Sequence, residues 1–190
     1  MKFNEGKIIE IFYAEKRGKK VPIIFRYPKK SDVKSVWKFY NKAIKETEGL
    51  SRFRFVSLKE EKKWVDDVLK NMKKGNKSQI MAESSGRIIG SVSIDRRLED
   101  RRRHVGGFGI AILQEYAGIG IGKRMMKLAE KDAGKMGLKI IELHVHGKNK
   151  IAQSLYRKMG YRAAGKVPKS VKTRNGFDDD ILMYKVLKKL

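Results

Sequence analysis

The chain has 190 residues, long enough to bury one core and short for two. Hydrophobic residues at 41% against 35% charged ones exclude a disordered chain, and the absence of cysteine excludes disulfides, thiolate nucleophiles and Cys-based zinc sites. The formal charge of +25 implies attraction to polyanions, whether a nucleic acid or an anionic cofactor; a Lys- and Glu-rich surface of thermophile type gives the same balance.

In chain order, Lys7–Tyr13 and Val21–Tyr27 are β-rich runs separated by the polar turn Glu15–Lys20, which reads as a hairpin. Ser31 and Asp32 then supply a helix cap, and Val33, Val36, Trp37, Tyr40 and Ile44 recur at helical spacing. A second helix is expected over Leu58–Lys73, with Trp64, Val65 and Val68 on one face, after a loop that carries Glu46, Glu48 and aromatics. Gln79–Glu83, Arg87–Ile94 and Val105–Ile112 read as a three-stranded meander, the last two joined by the charged loop Asp95–His104. Helical spacing returns at Lys123–Met136, followed by an alternating strand with Ile141, Leu143 and Val145, and a helix carrying Ala152, Leu155, Tyr156 and Met159. A strand at Asp180–Leu187 closes the order, which is that of an α/β or α+β domain with a mixed sheet.

No run of 18 apolar residues occurs, and Met1–Lys7 lacks the apolar segment of a signal peptide, so a cytoplasmic protein without membrane contact is expected. His104, His144 and His146 make a poor metal set, and no metal is expected. The lysines are scattered over the chain and do not form the single stripe of a nucleic-acid binder. A basic nucleic-acid-binding module is therefore the alternative to an enzyme.

The most specific segment is Tyr116-Ala117-Gly118-Ile119-Gly120-Ile121-Gly122-Lys123, between a strand and a helix. Alternating glycines remove Cβ atoms and let backbone N–H groups converge where the helix dipole also favours negative charge, which makes an anion cradle. A dinucleotide fingerprint fails because Lys123 stands where its third glycine belongs, and a Walker A loop fails at Ala117 and Arg124. A plain strand-to-helix turn does not need three glycines.

This segment resembles the coenzyme loop of the GNAT superfamily of N-acetyltransferases, with Ala117 departing from the Arg or Gln that opens the family pattern Arg/Gln-x-x-Gly-x-Gly/Ala. Asn149-Lys150-Ile151-Ala152-Gln153-Ser154-Leu155-Tyr156-Arg157-Lys158-Met159-Gly160-Tyr161 is similar to the family's Asn-x-x-Ala-x-x-Leu-Tyr-x-x-x-Gly-Phe segment, and Asp179–Met183 to its closing strand. The resemblance covers residues 80–190. It implies a mixed, mostly antiparallel central sheet flanked by helices, a domain at 21–190 and an N-terminal β-hairpin extension at 1–20 packed on it.

The resemblance further implies an enzyme that moves the acetyl group of acetyl-CoA to a primary amine by direct attack in a ternary complex. The amine could sit on a protein, a peptide or a small molecule, and a homodimer is compatible with the family; a GNAT-like chain that binds acyl-CoA without catalysis is a further alternative. The diphosphate would sit on Ala117, Gly118, Ile119, Gly120, Ile121, Gly122 and Lys123. Pantetheine would enter between the strands Val105–Ile112 and Lys139–His146 and pair with backbone near Ile110 and Ile112. Asn149 would contact the cofactor arm or serve as a simple N-cap. Tyr156 occupies the family's general-acid position, since a phenol stays protonated at neutral pH, although an apolar helix face would also want bulk there. No carboxylate stands in the Val105–Ile112 strand, so Glu46 and Glu48 are the candidate bases, with solvation as the bland alternative.

Overall fold

A computed structural model describes residues 3–187; Met1 and Lys2 of the expected extension and residues 188–190 lie outside the described residues. Eight strands form one sheet: β1 (Ile8–Lys16), β2 (Lys19–Arg26), β3 (Lys77–Ser84), β4 (Arg87–Arg96), β5 (Val105–Ile112), β6 (Ile140–His146), β7 (Arg162–Thr173) and β8 (Gly176–Val186). Their spatial order is β1-β2-β3-β4-β5-β6-β8-β7, and every neighbouring pair is antiparallel except β5 with β6. The helices are α1 (Val33–Glu46), α2 (Leu58–Lys73), α3 (Ile121–Lys135) and α4 (Lys150–Lys158). The hairpin β1–β2 and the meander β3–β4–β5 form as the sequence indicates. Residue 20 falls inside β2, which pairs with β3, so the hairpin shares a strand with the main sheet.

Helices cover both faces of the sheet. Gly90 of β4 lies against Met125 of α3, whereas Ser91 and Ser93 of the same strand, on the alternate side of the pleat, line a cavity with Val36 and Phe39 of α1. The α3 layer is well buried: Ile121, Met125, Met126 and Leu138 are fully enclosed, each contributing on the order of 2 kcal/mol by burial. Asp132 of α3, itself buried, accepts from Tyr27 Oη at 2.9 Å and Ser78 Oγ at 2.7 Å, which fixes the helix against β2 and β3. The first turn of α3 is thereby set where β5 ends.

Two local features differ from the sequence reading. Asp32 stands at the N-cap position of α1 as expected, but its side chain makes no capping bond; its carboxylate accepts from both Arg26 Nη atoms at 2.7 and 2.9 Å and from the Lys29 amide at 2.7 Å. Burial of Arg26 makes this pairing the stronger claim on the carboxylate. Strand β7 is the other difference, because Arg162–Thr173 carries no hydrophobic alternation and is exposed almost throughout. It forms by antiparallel pairing with β8. By contrast α2 starts with a full capping box, Ser57 Oγ accepting from the Glu60 amide while Glu60 Oε2 accepts from the Ser57 amide.

Candidate active site

The site begins where β5 and β6 separate. Their parallel pairing is limited to Val105–Ile140, Gly106–Ile141 and Gly107–Glu142; beyond it β5 stays with β4 and β6 stays with β8. On β5 the Val105 carbonyl accepts from Arg97 and the Leu113 amide donates to Ile89, so odd-numbered residues turn their backbone towards β4. Even-numbered residues face the other way, as the His104 carbonyl shows by accepting from Lys139. Ile110 and Ile112 therefore present N–H and C=O groups to the gap that β6 leaves open.

At the end of β5 the chain turns through Gln114–Tyr116 into α3. Gly118 and Gly120 have φ of +79° and +86°, the left-handed region where a Cβ is strained, and Gly120 is the N-cap. Gly122 is small for a different reason: a Cβ there would meet Leu155 Cδ2 of α4 at 3.2 Å. The first helical bond is Arg124 N–H to Gly120 O, and no side chain caps the helix, so the amides of Ile121, Gly122 and Lys123 point out of the turn uncommitted. The Ala117 amide is spent on Gln114 O at 3.0 Å. Lys123 is exposed at the helix start, whereas the Arg124 guanidinium is bound by Glu10 and adds little free charge.

Asn149 caps α4, its Oδ1 accepting from the Ala152 amide at 3.1 Å. That cap orients the helix so that Tyr156, 7% exposed, meets Phe108 of β5 edge-on with ring centroids 6.1 Å apart. Burial pushes the Tyr156 phenol up to about 12, so it holds its proton throughout the neutral range. Tyr161 packs on the same two rings, and its phenol is raised by burial and by Glu130.

Across the sheet from α3 lies a cavity of about 730 Å³, bounded by α1, α2, β4, β5 and the loop 47–57. Tyr156, Phe108, Gly109, Ile110 and Ala111 form one wall, and Phe39, Tyr40, Leu50 and Trp64 the apolar one. Gly109 and Ala111 of β5 stand opposite Ser93 and Ser91 on this face, and their small size leaves the room. Glu61 of α2 opens into the cavity at 5% exposure; burial is the largest influence on its carboxyl and holds it up to about 7, opposed by Arg52 and reinforced by Glu60. His144 also lines the cavity, its Nδ1 2.6 Å from Asp180 Oδ2.

The family model of the acetyltransferase (GNAT) family matches residues 38–161. The chain belongs to this family. The L-amino acid N-acetyltransferase AaaT of Escherichia coli is 30% identical over 99 residues, a match that spans 52% of this chain and 60% of AaaT. A GNAT-family acetyltransferase from Streptococcus pneumoniae superposes with a TM-score of 0.78 at 25% identity, covering 86% of this chain and 99% of that one. The phosphinothricin acetyltransferase Pat of Sinorhizobium meliloti, solved in complex with AcCoA, shares the fold with a TM-score of 0.77 at 16% identity, over 86% and 88% of the two chains.

In this GNAT chain Ile110 and Tyr156 line the cavity, Gly122 lies beside Ile112 of β5 and Leu155 of α4, and Asn149 lies beside Gly49 of the cavity rim, whereas Glu46 and Glu48 are not among the lining residues. Glu46 accepts from the Gln114 amide through Oε2 at 2.9 Å, which ties α1 to the turn before α3, and its Oε1 sits 3.6 Å from Lys42 Nζ. Glu48 lies in the loop after α1. Glu61 was not singled out from sequence, although a signal exists. It precedes Val65, Val68 and Met72 on the buried stripe of α2, where an apolar residue would ordinarily stand.

Proposed function

We propose that this chain transfers an acetyl group from acetyl-CoA to a primary amine, in a complex that holds both reactants at once. The observation that carries the reading is the neighbourhood of three features: uncommitted amides at the start of α3, the open edge of β5 that precedes it, and a cavity lined by Ile110 of that edge. Left-handed glycines at 118 and 120 and a bare sheet edge fit a ligand with a diphosphate and an amide-bearing arm. Ile121, Gly122 and Lys123 would hold the diphosphate, and Ile110 and Ile112 the arm. Acetyl-CoA supplies an activated thioester there.

The chain's own groups then divide the work. Glu61, held near neutrality by burial, takes a proton from the ammonium form of the acceptor and leaves a nucleophilic amine. Backbone N–H on the free edge of β5 faces the place where negative charge grows on the carbonyl oxygen. Tyr156, protonated at any working pH, donates to the departing sulfur. His144 beside Asp180 is the second candidate for proton removal, because it stands on the same cavity with a charged partner to orient it.

The cavity also favours an acceptor class. Arg52 borders it close enough to oppose the rise of the Glu61 carboxyl, and a wall of Phe39, Tyr40 and Trp64 lies beside it. An amine that carries a carboxylate and an apolar side chain satisfies both, in keeping with the name of AaaT. The test is turnover of acetyl-CoA against L-phenylalanine, its amide and phenethylamine. Turnover of all three amines would keep the transferase and remove the carboxylate preference; turnover of no amine by coenzyme-loaded protein would remove the enzyme.

A further inference from the structure

Strand β1 lies outside the span of the family match, yet three of its side chains, Glu10, Phe12 and Lys16, reach the turn that starts α3 or the first residues of that helix. At one end Glu10 binds the Arg124 guanidinium, through Oε1 to Nε and through Oε2 to Nη2 at 2.7 Å. In the middle, the Phe12 ring closes on Gly120: a Cβ built there would lie 3.7 Å from Phe12 Cζ. Ala14 is buried, and at the far end Lys16 Nζ sits 3.6 Å above the centre of the Tyr116 ring and 3.9 Å from Glu115. Beyond the irregularity at Ile9, odd-numbered positions face away, and Ile11 and Tyr13 are 51% and 64% exposed. From residue 10 to 16 an extended strand covers about 20 Å, enough to follow the chain from residue 124 back to 115.

The contacts are placed where the turn is weakest. Gly118 and Gly120 have left-handed backbone and no side chains of their own, so nothing inside the turn restricts their φ and ψ. Phe12, backed by Phe25 at a centroid distance of 6.4 Å, supplies the missing surface against Gly120 from outside. On the opposite side Glu46 holds the Gln114 amide and Lys42 holds Glu115 at 2.7 Å. The turn is thus clamped between α1 and β1.

We infer that β1 is a positioning element of the coenzyme site, with Phe12 as the residue that keeps the Gly118–Lys123 turn in the shape in which its amides converge. The inference rests on the acyl-donor reading above and goes beyond it, because it places a coenzyme-affinity determinant on a strand that touches no reacting atom. Preorganisation of this kind lowers the ordering cost of binding and leaves the chemical step alone.

The experiment compares the wild-type chain with Phe12→Ala, Phe12→Leu and the outward-facing control Tyr13→Ala. Coenzyme A binding is measured by calorimetry without acceptor, and KM for acetyl-CoA, KM for the amine and kcat are measured in turnover. Phe12→Ala is expected to weaken coenzyme A binding about tenfold and to raise KM for acetyl-CoA in step. Phe12→Leu should weaken both about threefold, while kcat and the amine KM stay within twofold and Tyr13→Ala matches wild type. Should Phe12→Ala not fold, Phe12→Leu carries the same test. Unchanged coenzyme A binding in a folded Phe12 variant overturns the inference, as does an equal loss in Tyr13→Ala, which would mean that β1 acts only through general stability. A wild-type chain that binds no coenzyme A would sink the acyl-donor reading itself, and this inference with it.

Discussion

Glu61→Gln should stabilise the protein while disabling it. Burial lifts the Glu61 carboxyl from its ordinary 4.5 to about 7, so between those values the unfolded chain releases a proton that the folded chain keeps. A raised carboxyl of this kind costs nothing below about pH 4.5; its penalty grows as pH rises and is complete above about pH 7. A gap of about 2.5 pH units corresponds to about 3 kcal/mol at most. Glutamine keeps the shape and has no charge to desolvate. In a chain of this size each kcal/mol moves Tm by about 2–4 °C, so the variant should melt about 6–12 °C above wild type at pH 8 and level with it at pH 4.5. Differential scanning fluorimetry across that range measures the difference. Turnover should fall about a hundredfold or more at pH 7.5 if the carboxyl is the base. A Tm difference that does not change with pH would refute the burial argument, and normal turnover would transfer the base role to His144.

Three other substitutions examine the rest of the site. Tyr156→Phe should lower kcat by about tenfold to a hundredfold and leave KM for acetyl-CoA within twofold in steady-state assays; an unchanged kcat would remove the acid role. Gly118→Ala meets no atom within 4 Å, so its whole effect is the backbone strain of φ +79°, about 1–2 kcal/mol, read as a roughly tenfold loss of coenzyme A affinity by calorimetry. Asn149→Ala removes the bond to the Ala152 amide and should cost about 1 kcal/mol in chemical denaturation, with kcat falling more than coenzyme affinity because α4 carries Tyr156.

The parts of the site that could be read from the residues are those where backbone conformation dictates the residue type. Glycines at 118 and 120 are demanded by positive φ, and Asn149 by an uncapped helix, so both stand out in one sequence. The carboxylate proposed for proton transfer did not, since its distinguishing property is an environment that only the fold supplies. Glu46 and Glu48 had the right chemistry, but Glu46 is the last residue of α1 and not of the loop, the Gln114 amide draws it into a structural contact, and α2 brings Glu61 to the cavity. Strand β7 was illegible for a related reason. With neither face buried, nothing imposed a two-residue period on Arg162–Thr173, and Pro168 and Gly165 hide the extended backbone further. Asp32 was placed at the right position but its side-chain partner was not legible, because the buried Arg26 that claims it lies on the preceding strand, and the sequence does not show which of two nearby partners wins.

The most direct test of the site is an amide-resolved NMR titration of the full chain with acetyl-CoA. At saturation the cross-peaks of Ile110, Ile112, Ile121, Gly122 and Lys123 should move most, and those of the β7–β8 hairpin around Val171–Phe177 should stay in place. Large shifts confined to other surfaces, or none at all, would contradict a coenzyme seated on the start of α3 and the open edge of β5.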